Sequence, residues 1–570
     1  MRSRALTAGA AGGLLALGAL ADAWTLRWVS DDAFISFRYA RNLLNGHGLV
    51  YNIGEYVEGY TNFLWTLVVA VGMAMGADAV HVGHTISLAC YAAILAVLVR
   101  ESWRRAVLQD QAFVPLAATA WALHLHARQF ATSGLETSLF TLLVLVTILQ
   151  AREVTTPRQA RWVGLWGALA TLTRPEGALF YGLAGLAVLV PGRSDTDHDK
   201  PPGLPTALNM AMPGAVLLLP WLAWKLATYG ELLPNTWYAK SGETSWWSQG
   251  GYYLGLYFQA YWPVALGLVC WPLLAARRHA GWLPWVASVA FLLHVARVGG
   301  DFMFARFALP VTPLLLLGVE QAIAGLTRPS LRIGLATLAA AGVLVAKAPI
   351  ELEGMGRLQG IAEERNFYPA SALEDARRDG AYLAELFEDT DARVIIYGGQ
   401  AMLAYYADFP LAIEGATGLT DRTIARLPVA ERSYIGHDKD APLEYLLERG
   451  VRFRLAWRTG MEPHEPWTEI DFGQGLDGYI LSWDETLMKT LQERGADFVD
   501  FPDSLDASAF KLPDLDRDTV QNLHTRFHDY YFAHNEDPAR EKPYLDRLSD
   551  SDTPGVTAEE AAEARSEEPP

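Results

Sequence analysis

The sequence predicts an α-helical polytopic membrane protein with a C-terminal extracytoplasmic α/β domain. Three observations carry this. First, 570 residues are too many for one ordinary soluble domain. Second, 51% of them are hydrophobic, and they are not spread evenly. Up to about residue 349 the chain is a series of apolar runs broken by short polar loops, and beyond it the chain reads as a soluble sequence. Third, charge divides the same way. Residues 1–350 hold 24 Lys and Arg against 18 Asp and Glu, whereas residues 351–570 hold 22 against 46. The acidic C-terminal half argues against nucleic acid or an anionic membrane surface as its partner.

A helix that crosses a bilayer needs about 20 apolar residues. Candidate spans lie near 5–26, 83–99, 112–126, 137–151, 160–173, 176–191, 209–227, 255–275, 282–298, 306–324 and 331–348, with a further apolar run at 61–76. Basic residues gather on cytoplasmic loops. With Arg2 and Arg4 inside and 61–76 not counted, Arg100, Arg104, Arg105, Arg152, Arg158, Arg193, Lys200, Arg277, Arg278, Arg328 and Arg332 all fall inside. Counting 61–76 puts the 100–105 cluster outside. The run is therefore read as a re-entrant or interfacial helix, giving about 11 spans and a C-terminal region outside the cytoplasm. Residues 1–23, ending in Ala21-Asp22-Ala23, also fit a cleaved signal peptide; either way residue 31 emerges outside.

The domain boundaries follow: 1–349 a transmembrane module, 350–547 an extracytoplasmic α/β domain, and 548–570 a disordered acidic tail. In the second part, ALEDARRDGAYLAELF (372–387) reads as an amphipathic helix and ARVIIYGG (392–399) as a buried strand. A helix ends at Gly450, and VRFRLAW follows as a strand. Cys90 and Cys270 lie in apolar runs, which argues against a disulfide or a metal site.

On this topology the outer loops are the unusual ones. They hold DDAFISFRYARNL (31–43), TSGLET (132–137), TRPEG (173–177), YGELLPNTWYAKSGE (229–243) and GGDFMFARF (299–307). Ionisable groups beside the hydrocarbon are costly and tend to line a polar cavity. Asp31 and Asp32 follow an apolar run, where a carboxylate can serve as a base. Neighbours on a helix point about 100° apart, so one is expected to meet the substrate and the other to bond backbone, a cation or a metal. Helix capping by Ser30, Asp31 and Asp32 is the alternative. Arg174 and Glu176 flank Pro175 at a helix start. Asp301 and Arg306 form an ion pair or leave Arg306 free to hold a phosphate, and Lys240 suits the same task. His124 and His126 lack a second ligand pair at metal spacing and read as structural. No nucleotide-binding loop of the G-x-x-x-x-G-K-[ST] or G-x-G-x-x-G kind is present.

Six segments, DDAFISFRYARNLLNGHGLVYN, VEGYTNFLW, SGLET, TRPEG, ELLPNTWYAK and GGDFMFARFALP, together resemble the multi-spanning glycosyltransferases of the C superfamily (GT-C), nearest to the mycobacterial terminal β-(1→2)-arabinofuranosyltransferase family. GLTDRTIAR (418–426) and GHDKDAPLEYLLERG (436–450) are similar to the same group. The resemblance implies a polyprenyl-phosphate sugar donor, a cell-envelope glycan acceptor and transfer on the outer face of the cytoplasmic membrane. It implies a catalytic acid in the first outer loop, which here is Asp31 or Asp32. Arg38, Arg174, Lys240 and Arg306 become the candidates for the donor phosphate. Glu136, Glu176, Asn235, Tyr238 and Asp301 become the groups that orient substrate. A divalent metal held by Asp31 and Asp32 stays open beside a metal-free site of Arg and Lys.

The chemistry is consistent with this. A lipid-phosphate leaving group needs a cation, and a sugar hydroxyl acceptor needs a base. The same chemistry with a hexose or amino sugar on lipopolysaccharide, capsule or protein is the nearest alternative. A non-catalytic membrane assembly factor is another. A transporter or flippase would want charges at mid-span, where this sequence has few.

Overall fold

The structure, a computed structural model, describes residues 2–108, 113–189, 203–240, 244–275, 282–397, 400–429, 432, 435–455 and 467–549. The expected acidic tail, apart from residues 548 and 549, lies outside them. The chain forms two compact units. One comprises Met1–Asp375 with Ala416–Lys439, and the other Ala376–Gly415 with Asp440–Pro570. The division thus differs from a single boundary at 349/350. It lies later, and residues 416–439 return to the first unit.

The first unit is helical. The runs at 137–151 and 282–298 become helices Thr137–Ala151 and Trp282–Val298, and 160–173 and 176–191 become Pro157–Thr173 and Gly177–Leu189. Pro157 sits in the first turn, and Thr156 and Gln159 close a capping box in front of it. Two helices are long and apolar enough to cross a membrane unaided, Ala79–Leu108 and Leu204–Tyr229, or three if a bent pair counts as one span. That is fewer than the eleven expected, because most other apolar helices among the described residues are only 10–17 residues long. At about 1.5 Å per residue such helices are about 15–26 Å long. Leu204–Tyr229 leaves Val216 and Leu219 65% and 62% exposed, an apolar surface suited to lipid.

Two expected spans are broken. The run 112–126 divides into Leu116–Leu123 and Leu125–Phe130, because His124 takes an extended backbone and caps the second piece by accepting from the Ala127 amide. The run 255–275 divides at Tyr261 into Trp247–Ala260 and Trp262–Ala275, and the pair is bent by 100°. Pro263 starts the second piece, where its missing amide hydrogen costs nothing. The run 61–76 forms only Phe63–Ala74, about 18 Å long and too short to span.

Small residues let the helices approach closely. A Cβ on Gly164 would lie 1.9 Å from the Met210 carbonyl oxygen, and one on Gly177 would lie 2.3 Å from the Ala170 carbonyl carbon. The second contact folds Gly177–Leu189 tightly back against Pro157–Thr173. The intervening turn holds Arg174, Pro175 and Glu176.

The second unit carries a six-stranded mixed sheet among the described residues. Its order is Leu411–Glu414, Arg393–Ile396, Phe453–Leu455, Leu476–Ile480, Thr468–Gly473 and Asp497–Phe498. The first three strands are parallel and the rest antiparallel. Helix Ala370–Leu386, whose first residues belong to the first unit, matches the expected amphipathic segment. Gly450 follows helix Leu443–Glu448 with φ 68°, ending it as expected. Phe387, Phe409, Phe453 and Phe472 form the aromatic core beneath the sheet.

Candidate active site

Helix Asp31–Leu44 starts at the two aspartates. Ser30 precedes it, yet its hydroxyl makes no cap bond. The two carboxylates part. Asp31 is buried, whereas the Asp32 side chain is 35% exposed and lies 3.9 Å from Arg306 Nη1. Arg306 is buried and gripped by Asp301. Its Nη2 donates to Asp301 Oδ1 at 2.8 Å, and its Nε also bonds that carboxylate. Burial would lower the Arg306 pKa, but the Asp301 carboxylate more than offsets this and raises it.

The 299–308 loop holds this pair by its backbone. Gly300 has φ 78°, and a Cβ there would lie 2.6 Å from Tyr253. Ala305 adopts φ 66°, a strained value for a residue other than glycine. The Tyr253 hydroxyl donates to the Met303 carbonyl and accepts from the Phe307 amide, which ties the loop down.

A second arginine lies across Phe307. The ring has Arg174 Cζ 4.9 Å and Arg306 Cζ 5.2 Å from its centroid, both within cation–π range. Arg174 donates to Glu136 at 2.7 Å and to Glu176 at 2.9 and 3.3 Å. Asn62 donates to the other Glu136 oxygen at 3.0 Å, and Ser36 donates to Asn62 at 3.1 Å. Burial alone would raise both glutamates. Arg174 instead holds Glu136 below the usual range and Glu176 at about 2. The guanidinium is therefore fully engaged by two carboxylates.

Lys240 is different. It closes the short helix Asn235–Ala239, and its Nζ has no hydrogen-bond or ion-pair partner among the described residues. It lines a cavity of about 350 Å³ together with Arg174, Glu176, Asp301, Phe307, Trp237 and Arg432. Arg432 lies 3.5 Å from Asp438 and is matched by it. Lys240 itself is exposed. The arrangement offers an uncompensated cation to an anion in a partly enclosed space.

Arg38, Asn235 and Tyr238 are not among the side chains that line this cavity. Arg38 is buried, donates to the Tyr51 carbonyl at 2.8 Å and sits 4.7 Å from the Tyr51 ring centroid. Asn235 spends its amide on the carbonyls of Gly418, Leu419 and Asp421 at 2.9, 2.9 and 3.2 Å. Tyr238 carries Arg426 on its ring at 4.2 Å. No group of three His, Cys, Asp or Glu side chains that could hold a metal ion occurs among the described residues.

Four residues near this network carried no role in the sequence reading: Asn62, Phe307, Glu363 and Glu364. The first two lie inside quoted segments, where an amide between Ser36 and Glu136 has no local signature. Glu363 is buried and 2.7 Å from His126 Nε2, while His126 Nδ1 meets Tyr261 at 2.6 Å. His124 stacks on Tyr261 at 3.7 Å, so both histidines are packed and hydrogen-bonded. Glu364, next in sequence, is half-buried. Burial, then the Asp32 charge, push its carboxyl up to about 8.

Comparison with known proteins is consistent with this architecture. Residues 50–241 match the family model described as Predicted membrane protein (DUF2142). The terminal β-(1→2)-arabinofuranosyltransferase of Mycobacterium tuberculosis is 30% identical, over 50% of this chain and 51% of that protein. The protein of the same name from Corynebacterium glutamicum is 28% identical, over 51% and 48%. The chain thus spans about half the length of the curated relatives it matches. The crystal structure of ArnT from Cupriavidus metallidurans in the apo state aligns with a TM-score of 0.50 at 14% identity, covering 79% of this chain and 93% of that one. The chain is a membrane protein with an ArnT-like helical fold, related across half its length to proteins named terminal β-(1→2)-arabinofuranosyltransferases.

Proposed function

We propose that this protein is a glycosyltransferase that moves a sugar, arabinofuranose in our reading, from a polyprenyl-phosphate donor to a cell-envelope glycan. The reaction takes place on the outer face of the cytoplasmic membrane. The chain threads that membrane about eleven times, and the Ala376–Gly415 and Asp440–Pro570 unit lies outside the cytoplasm. The observation that carries the reading is Lys240, with no hydrogen-bond or ion-pair partner among the described residues, on a cavity whose lining arginines, Arg174 and Arg432, each have a carboxylate partner. The donor's phosphodiester, and the lipid phosphate monoester that leaves it, supply the missing anion.

In the reaction Asp32 takes the proton of the acceptor hydroxyl. That oxygen bonds the anomeric carbon as the bond from this carbon to the phosphate oxygen breaks. The electron pair leaves with the lipid phosphate, where Lys240 meets the growing charge. Asp301 holds the Nε and Nη2 edge of Arg306, which leaves Nη1 3.9 Å from Asp32. Glu136 and Glu176 fix Arg174 beneath Phe307. The names of the two sequence relatives favour arabinofuranose over other sugars.

The test is sugar transfer by full-length protein in detergent, offered arabinofuranosyl, hexosyl and aminosugar polyprenyl phosphates with an oligosaccharide acceptor. Transfer from the arabinofuranosyl donor, reduced about 10²- to 10⁴-fold in Asp32→Asn and much less in Asp31→Asn, is the expected result. Transfer that survives Asp32→Asn sinks the base assignment. Transfer only from a hexosyl or aminosugar donor corrects the sugar.

A further inference from the structure

The segment after the hairpin Arg357–Leu358 and Ile361–Ala362 brings two adjacent glutamates toward the site, and they do different things. The Ala362 amide donates to the Phe302 carbonyl at 2.7 Å, and the Phe304 amide donates to the Ala362 carbonyl at 2.9 Å. The hairpin is thereby stitched to the same loop that carries Asp301 and Arg306. Glu363 turns into the protein and is held by His126. Glu364 keeps part of its surface open, and no hydrogen bond or ion pair engages its carboxyl among the described residues. The charged groups that act on it are Asp32, Arg306, Arg357 and Asp301, with Asp32 the strongest.

Anchoring Glu363 fixes the backbone from which Glu364 projects. A half-open carboxyl is therefore carried on a segment fixed by two independent tethers, the Met303–Ala362 bridge to the loop that bears Asp301 and Arg306 and the Glu363–His126 bond. Among the described residues it serves neither as a salt-bridge partner nor as a helix cap. We propose that Glu364 is a further acidic residue of the active site, hydrogen-bonding a hydroxyl of the acceptor sugar next to the hydroxyl that Asp32 deprotonates. The assignment rests on the glycosyltransferase reading above.

Two carboxyls sharing one place do not both ionise readily. Here burial and the Asp32 charge raise Glu364 to about 8. At neutral pH Glu364 therefore keeps its proton. A protonated carboxyl offers one O–H donor and a carbonyl acceptor, which matches a sugar hydroxyl that both gives and takes a hydrogen bond. It also adds no second negative charge where the acceptor oxygen must become an anion. Above pH 8 Glu364 loses the donor and gains a charge that repels Asp32, so transfer falls on the alkaline side.

The experiment measures transfer kinetics of full-length wild-type, Glu364→Gln and Glu364→Leu proteins in detergent, varying donor and acceptor separately and then pH. Gln keeps a donor and an acceptor, whereas Leu keeps neither. The expected result is an acceptor KM about tenfold higher in Glu364→Leu, the value of one such hydrogen bond, with the donor KM unchanged. Glu364→Gln is expected to stay within about threefold of wild type and to lose the alkaline decline. An unchanged acceptor KM in a folded Glu364→Leu protein, while wild type transfers sugar, overturns this assignment and leaves the proposed function standing. If the Leu variant does not fold, the Gln variant decides, and an alkaline decline that persists in it overturns the assignment. Folded wild type that transfers sugar from none of the donors overturns both.

Discussion

Lys240 and Arg174 show how little a residue's charge says about its role before its neighbours are known. Both were candidates for the donor phosphate. Arg174 already has Glu136 and Glu176 on its fork, while Lys240 has neither. Replacing Lys240 with Met is expected to raise the donor KM roughly 10- to 100-fold, the usual worth of a hydrogen bond to a charged group. Acceptor KM and the amount of folded protein should not change, and a donor KM equal to that of wild type would remove the phosphate role. Arg174 cannot be tested so cleanly, since its loss strands the buried Glu136 and the half-buried Glu176. Glu364 makes a separate statement about stability. Its carboxyl is raised from 4.5 to about 8, so between those values the folded state binds more protons than the unfolded one. Its contribution to stability therefore falls as pH rises through that window. Glu364→Gln should melt higher than wild type at pH 8 and nearly level with it at pH 5, as read by thermal unfolding in detergent. Equal melting at both values would count against the buried, Asp32-facing position.

At the level of helices and loops, the turn between Pro157–Thr173 and Gly177–Leu189 is the part least able to absorb change. Gly177→Ala puts a methyl against the Ala170 carbonyl and should spread the two helices. Loss of transfer together with a lower melting temperature is expected, whereas an unaffected Gly177→Ala protein would show that the approach is looser than described. Asn235 is a clasp, with its amide on three carbonyls of residues 418–421. Asn235→Ala should cost about 1–3 kcal/mol of stability and speed protease cleavage near residue 427, which limited proteolysis followed by mass spectrometry reads directly.

The sequence made much of this legible. Helix Thr137–Ala151 has the bounds that hydropathy alone assigns, and TRPEG sits just before helix Gly177–Leu189, with Pro175 in the preceding turn rather than in the first helical turn. The divergence of Asp31 and Asp32 follows from helical geometry, but which of them is exposed depended on Arg306, far away in the chain. The break at His124 left no mark in hydropathy, because both halves are apolar. The break before Pro263 was passed over when 255–275 was read as one span, although proline suits a helix start better than the middle of a span. Asn235, Tyr238 and Arg38 drew attention because polar side chains stood out in apolar surroundings. Structure assigns each to a backbone or ring contact, a use that composition cannot distinguish from substrate binding.

For the molecule as a whole, the proposed topology makes a direct prediction about sidedness. The half beyond residue 350 holds 46 acidic residues against 22 basic ones, as suits a region that is not held to the basic inner surface. With Cys270 replaced by Ser, a cysteine at Ser508 should react with a membrane-impermeant maleimide in intact spheroplasts. A cysteine at Arg158 should react only after permeabilisation. The reverse pattern would invert the whole arrangement and put the acidic cluster at Asp32 on the cytoplasmic side.

The return of residues 416–439 to the first unit has a consequence for how such a protein can be inherited and recombined. A terminal domain joined at one seam can be exchanged between genes by a single crossover. Here the second unit is interrupted by a stretch that supplies the partners of Asn235 and the Gly436 and Arg432 side of the cavity wall. One crossover near residue 375 would replace that stretch as well and would pair a resident helical unit with a foreign part of its own cavity wall. A clean exchange needs three junctions, near 375, 415 and 439. The two units are therefore expected to descend together, and chimaeras of related proteins should keep activity only when residues 416–439 come from the same parent as residues 1–375.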